Sequence, residues 1–190
     1  MIQKLETKYQ NIHQPIIDRC LHGDSMAQYD LYKLYSKAMY NTCLRITNSE
    51  MDAEDVLQES FLSAYKNLKN YKGTASFGSW LKRIVVNNAI NLVKKRRLDL
   101  ESVDDIGEYD RGMEDDDNQD LSYDVAMVTE GIARLPDGYR LVLTLYLIEG
   151  YDHKEIGEVL GITESTSKSQ FNRSKKKLRE ILKEELKYAG

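Results

Sequence analysis

Proline occurs only twice in the 190 residues, at Pro15 and Pro136. No strand-like alternation of apolar and polar residues is sustained anywhere, so an all-α fold is expected. The two cysteines, Cys20 and Cys43, stand apart and form no CxxC pair. That spacing excludes a disulfide scaffold and suits two reduced thiols in a cytoplasmic protein. The three histidines, His13, His22 and His153, are far from metal-ligand spacing, and Cys20 with His22 is too little for a zinc site. No apolar run approaches the roughly 18 residues of a membrane span. The opening "MIQKLETKYQ" lacks the apolar core of a signal peptide. A catalytic constellation is also missing, so neither an enzyme nor a cofactor is expected.

What the sequence does have is charge, strongly segregated. Residues 60–97 hold nine basic residues and no acid, and residues 98–124 hold twelve acids against Arg111 alone. Residues 168–179 hold six basic residues and no acid. The net charge of −4 therefore conceals two basic surfaces around an acidic connector, a pattern that points to partners.

Helical periodicity runs through most of the chain. Residues 26–45 repeat apolar positions at Leu31, Leu34, Tyr35, Ala38 and Met39. A second helix starts near Ser49, a plausible cap with Asp52 three residues on. Gly73 and Gly78 interrupt it, and a third long helix is expected over 79–97. Residues 98–122 are acidic, aperiodic and poor in apolar residues, so a flexible linker is expected there. Its "DDDNQD" lacks the glycine and closing glutamate of a calcium loop. A second helical domain is expected over 123–190, with an extension at 1–23 and a first domain at 24–97. In it "LPDGYRLVLTLYLIEG" reads as a buried helix opened by Pro136 and closed by Gly150.

The segment "GYDHKEIGEVLGITESTSKSQFNRSKKKL" has the helix-turn-helix pattern. Asp152 and Glu155 resemble a capping box, Ile156, Val159 and Leu160 give one apolar face, Gly161 supplies the corner and Thr163 caps the next helix. On that helix Ser167, Phe171, Leu178 and Ile181/Leu182 form the inner stripe. Lys168, Ser169, Asn172, Arg173 and Lys176 then face outward. Such side chains suit base edges near the helix start, and the later cations suit phosphates. A solvated basic helix has the same pattern.

On the third helix, Leu81, Ile84, Val85, Ala89, Leu92 and Val93 fall on one apolar arc, with Arg83, Asn87, Asn91 and Lys94 on the opposite stripe. Asparagines among cations suit bases held beside phosphates. The preceding Tyr71, Lys72, Ser76, Phe77 and Trp80 suit stacking on unpaired bases, although Phe77 and Trp80 equally suit a core. Asp55, Gln58, Glu59 and Leu62 share a face that repels DNA and suits a basic protein surface, or is simply an acid-rich helix start.

Together these motifs resemble the bacterial RNA polymerase sigma factors, specifically their compact extracytoplasmic-function group. "DAEDVLQESFLSAY" is similar to the core-binding segment and "FGSWLKRIVVNNAINLVKKRR" to the promoter-melting, minus-10-reading helix. Residues 135–182 are similar to the minus-35-reading domain. The likeness spans roughly 24–186, with the segments in the family's order. It implies that Asp55, Gln58, Glu59 and Leu62 contact the beta-prime clamp helices of core RNA polymerase. Tyr71, Lys72, Ser76, Phe77 and Trp80 would surround a flipped minus-10 base. Arg83, Asn87, Asn88, Asn91 and Lys94 would line the strand-separation surface. Thr166, Lys168, Ser169, Asn172, Arg173 and Lys176 would enter the major groove of the minus-35 element. The second domain would also meet the beta flap, the linker would thread the RNA-exit path, and an anti-sigma factor is implied as a partner.

Ser167 stands where the family usually has valine. Its hydroxyl is expected to bond back to the Thr163 carbonyl. Gln170 and Asn172 stand where arginine and a bulkier residue are common, so the minus-35 sequence does not follow from the likeness. Two other readings remain. A stand-alone helix-turn-helix regulator leaves the acidic face and aromatic loop idle, and a nuclease using the linker carboxylates needs them fixed.

Overall fold

A computed structural model describes the backbone of residues 12–100 and 124–189. All regular elements among these residues are helices. The chain divides after residue 96 into two compact units.

The first unit opens with α1 (Gln14–Leu21), α2 (Ser25–Thr47) and α3 (Glu50–Lys66). A 3-10 turn at Leu68–Asn70 follows, and then α4 (Phe77–Leu100). Asp24 starts α2 by accepting from the amides of Met26 at 2.9 Å and Ala27 at 3.1 Å. Those two orphan amides at the helix start are thereby satisfied. Arg19 pairs with the same carboxylate at 2.7 Å and ties α1 to α2. Ile17 and Cys20 are buried, so from residue 14 onward the expected N-terminal extension is part of the fold. Asn48 takes a left-handed conformation (φ 55°) and Ser49 caps α3, closing a tight helical hairpin.

The core of this unit is apolar at helical spacing. Ala27, Leu31, Cys43 and Ile46 of α2 are buried with Ala53, Phe61 and Ala64 of α3. From α4 come Phe77, Leu81, Val85, Val86, Ala89, Ile90 and Val93. The buried arc of α4 thus includes Val86 and Ile90, while Ile84 and Leu92 are only half-buried. Leu34 of α2, expected on the inner face, is exposed. α4 also begins two residues earlier than expected. Ser76 caps it, accepting from the Ser79 amide at 3.1 Å. Gly78 sits in the first turn as a point of close packing, because a Cβ there would lie 3.0 Å from Tyr35 Cε1. At the far end, the buried Asp52 of α3 pairs with Arg96.

The second unit contains α5 (Val125–Ala133), α6 (Asp137–Leu147), α7 (His153–Leu160) and α8 (Glu164–Ala189). Leu135, Leu143 and Ile181 form a core against which Ile132, Tyr139, Phe171 and Leu178 pack. Arg140 is buried in α6 but paired with Asp137 at 2.7 Å, which offsets its loss of water. The expected linker begins inside the described backbone, since α4 continues to Leu100. Its remainder, with the carboxylates of the nuclease reading, lies outside the described residues.

Candidate nucleic-acid interface

α3 presents Asp55, Gln58, Glu59 and Leu62 to solvent. Their spacing of three and four residues keeps them on one face. Met51, one turn earlier and 69% exposed, extends the same stripe and was not singled out by its sequence context. Gln58 and Glu54 also line a groove of about 340 Å³ with Tyr32, Lys37 and Tyr40 of α2. The face is therefore acidic, with two large apolar side chains left uncovered. That mixture suits a docked protein better than open solvent.

α4 presents Arg83, Asn87 and Asn91 to solvent, and Lys94 is half-exposed at the end of the stripe. Asn88 departs from the expectation. Its amide donates to Ser60 Oγ on α3 at 3.0 Å, so it braces the helix from the inner side. Phe77 also departs, because it is fully buried. It meets Tyr35 edge-on at 5.2 Å and Tyr71 at 5.7 Å, with Trp80 tilted at 5.5 Å. Phe77 is therefore the base of a small aromatic stack whose half-exposed members are Tyr71 and Trp80. The Tyr71 hydroxyl donates to the Ala75 carbonyl at 2.6 Å and closes the loop. Ser76 is engaged as the helix cap, and Lys72 is exposed at the loop's edge.

In the second unit, Asp152 and Glu155 make both arms of a capping box at the start of α7. Gly161 turns the chain in the left-handed region (φ 75°), where a side chain would be strained. Thr163 caps α8 by accepting from the Thr166 amide at 3.0 Å, and the two threonine hydroxyls share a 2.8 Å hydrogen bond. Thr166 is therefore part of the cap and half-buried. Lys168, Ser169, Asn172 and Lys176 are exposed, and Arg173 is half-buried. Lys168 pairs with Glu164 one turn back at 2.6 Å. That contact holds the Glu164 carboxyl below the usual range. Lys175 lies 4.8 Å from the centre of the Phe171 ring, and Lys177 pairs with Glu180 at 3.2 Å.

Ser167 corrects another expectation. It is fully buried, but its hydroxyl bonds to Nδ1 of His153 at 3.0 Å. The Thr163 carbonyl instead receives the Ser167 amide at 3.0 Å. The sequence alone marks His153 only as a histidine without metal-ligand spacing. A polar residue on a buried stripe was the available signal that a partner was needed. Ser174, also fully buried, continues that stripe between Phe171 and Leu178.

Residues 31–98 match the family Sigma-70 region 2, and residues 126–178 match Sigma-70, region 4. ECF RNA polymerase sigma factor SigW of Bacillus subtilis is 30% identical over 172 residues, covering 85% of this chain and 92% of the relative. The RNA polymerase sigma-H factor of Pseudomonas aeruginosa is 30% identical over 187 residues, covering 93% and 96%. The chain is an extracytoplasmic-function sigma factor. A solved structure of the sigma factor RpoE in complex with the anti-sigma factor NepR, from Bartonella quintana, shares the fold. Its TM-score is 0.54 at 19% identity, covering 82% of this chain and 96% of that one.

The region 2 match takes in the α3 face, the aromatic loop and the α4 stripe. The region 4 match takes in α6, the helix-turn-helix and the basic part of α8. α1 of this sigma factor precedes both matches and still packs on α2.

Proposed function

We propose that this chain is an alternative sigma factor that binds core RNA polymerase, directs it to promoters and promotes strand opening. The observation that carries the reading is the pairing, within one unit, of an exposed acidic face on α3 with an exposed Arg/Asn stripe on α4. The first suits a protein and the second suits nucleic acid, and a stand-alone DNA regulator would leave the first unused.

In this reading Asp55, Gln58, Glu59 and Leu62 dock on the beta-prime clamp helices, with Met51 extending the contact. Tyr71 and Trp80 offer half-exposed aromatic faces to an unpaired minus-10 base, and Phe77 supports them from below. Arg83, Asn87, Asn91 and Lys94 follow the separated strand, while Asn88 holds α4 against α3. Captured bases offset the unstacking cost of a few kcal/mol. In the minus-35 element, Lys168, Ser169, Asn172, Arg173 and Lys176 face the major groove. Phosphate contacts set affinity there and base edges set preference. Thr166 acts through the cap of α8. The second unit also meets the beta flap.

Sigma factors are transcription initiation factors, and phosphodiester synthesis belongs to the core enzyme. The chain accordingly needs no catalytic group of its own. No helix among the described residues is long and apolar enough to cross a membrane. The site of action is the cytoplasm, where core polymerase works. A relative held by an anti-sigma factor supports a regulatory partner of that kind here.

Run-off transcription tests the reading, using purified core polymerase and a library of bacterial promoter fragments, with and without the protein. Transcripts that appear only with it are expected, and their aligned start sites give both promoter elements. Failure to bind core polymerase at all would sink the sigma assignment and favour a stand-alone regulator.

A further inference from the structure

The His153 ring sits where three helices meet. It belongs to the first residue of α7, whose start is fixed by the Asp152–Glu155 capping box. It stacks on Tyr146 of α6 with centroids 4.5 Å apart and planes 17° from parallel. It meets Phe171 of α8 edge-on at 5.6 Å. Its Nδ1 and the fully buried Ser167 hydroxyl of α8 share a 3.0 Å hydrogen bond.

Ser167 lies in the opening turn of α8, next to Lys168 and Ser169 and five residues before Asn172. A buried hydroxyl must find a partner, so the bond holds only where α8 sits at one depth and one rotation against α7. An apolar residue at 167 would pack there with no such directional demand, since apolar burial is non-directional. We infer that His153 is a positioning residue for promoter recognition, and that through Ser167 it sets the pose of the reading helix α8. His153 touches no DNA in this role. It fixes where the exposed side chains of α8 point. This rests on the reading that α8 recognises the minus-35 element.

The test uses holoenzyme assembled from the full chain and core polymerase. Binding is measured on a promoter fragment with its upstream element intact and on one with that element scrambled. The ratio of the two affinities isolates α8, because the minus-10 contacts are common to both. His153→Ala and Ser167→Ala should each lower the ratio by about three- to tenfold, the range expected for one buried hydrogen bond. The double variant should fall little further, since the two changes remove one shared contact. His153→Asn, which keeps a hydrogen-bonding amide near the position of Nδ1, should recover part of the ratio. Binding to the scrambled fragment reports a merely structural role and should stay near wild type, while the thermal midpoint should fall in His153→Ala, which leaves the buried Ser167 hydroxyl without its partner. An unchanged ratio, strictly additive losses, or equal losses on both fragments would overturn the proposal. A wild-type holoenzyme that binds the two fragments equally would remove the reading of α8 itself, and the inference with it.

Discussion

The two helices proposed to face DNA are held in different ways. α4 buries seven apolar side chains along its length, from Phe77 to Val93. The reading end of α8 buries two serines, Ser167 and Ser174, and among the described residues its buried apolar anchors come further on, at Ile181 and Leu182. Each helix carries a polar latch to its neighbour that centres on a buried serine. In the first unit a buried serine on the support helix, Ser60, receives Asn88 of the DNA-facing helix. In the second the buried serine is on the reading helix and the support helix supplies His153. Apolar packing from Phe77 to Val93 of α4 gives a firmly held surface, which suits the proposed role of staying put while strands separate around it. Polar anchoring at the start of α8 gives a pose that depends on a few directional contacts.

The largest effect that would sharpen this contrast is loss of the aromatic base under the α4 loop. Phe77→Ala removes a fully buried ring and should cost about 3–5 kcal/mol of stability. Trp80→Ala removes a half-buried ring and should cost clearly less, while reducing open-complex formation strongly. Chemical denaturation of the full chain, paired with permanganate footprinting of the opened strand, separates the two. A Phe77 variant as stable as wild type would mean that α4 is not anchored where its burial indicates.

Adjacent asparagines give a finer test. Asn87 is exposed on the stripe, whereas Asn88 is tied to Ser60 at 3.0 Å. Asn87→Ala should slow open-complex formation by about tenfold, the scale of one lost base contact, with stability unchanged. Asn88→Ala should lower stability by about 1–3 kcal/mol, because the buried Ser60 hydroxyl loses its partner. If Asn87→Ala leaves open-complex formation unchanged, the assignment of the stripe fails.

The same pair shows where the sequence was legible. The Ser49 cap, the capping box at Asp152 and Glu155, and the Gly161 corner are local. Each rests on residues within four of one another, so periodicity and capping chemistry reveal them. The exposed stripe of Arg83, Asn87 and Asn91 follows from the same helical periodicity. What was missed is non-local. Whether Asn88 points at DNA depends on Ser60, 28 residues away, and the partner of Ser167 is fourteen residues away in another helix. Gly78 read as a breaker because Tyr35, which requires its small size, lies far back in α2. Phe77 looked equally suited to stacking or core because an aromatic ring satisfies both, and only the packing of α2 decides.

The smallest effect concerns a contact that works against DNA binding. Lys168 leads the exposed face of α8, yet Glu164 holds it at 2.6 Å. Glu164 also serves the helix, as an acid in its first turn. Hydrogen bonding and charge from Lys168 depress the carboxyl's folded pKa. A depressed carboxylate contributes its stabilisation above the unfolded value and loses it as pH falls through the folded one. The ion pair is therefore intact at neutral pH and opens only under acid conditions below the usual glutamate range. Phosphates must compete with Glu164 for Lys168 throughout the neutral range, and they must also approach its negative charge. Glu164→Gln removes both obstacles while giving up one favourable first-turn charge. Duplex binding by the full chain should tighten about twofold at low salt, with the gain fading as salt rises, because both charges are exposed and screened. The thermal midpoint should drop slightly in the same variant. Binding that is unchanged at low salt would show that Lys168 does not face the phosphates, and would move the cationic contact of α8 towards Lys176.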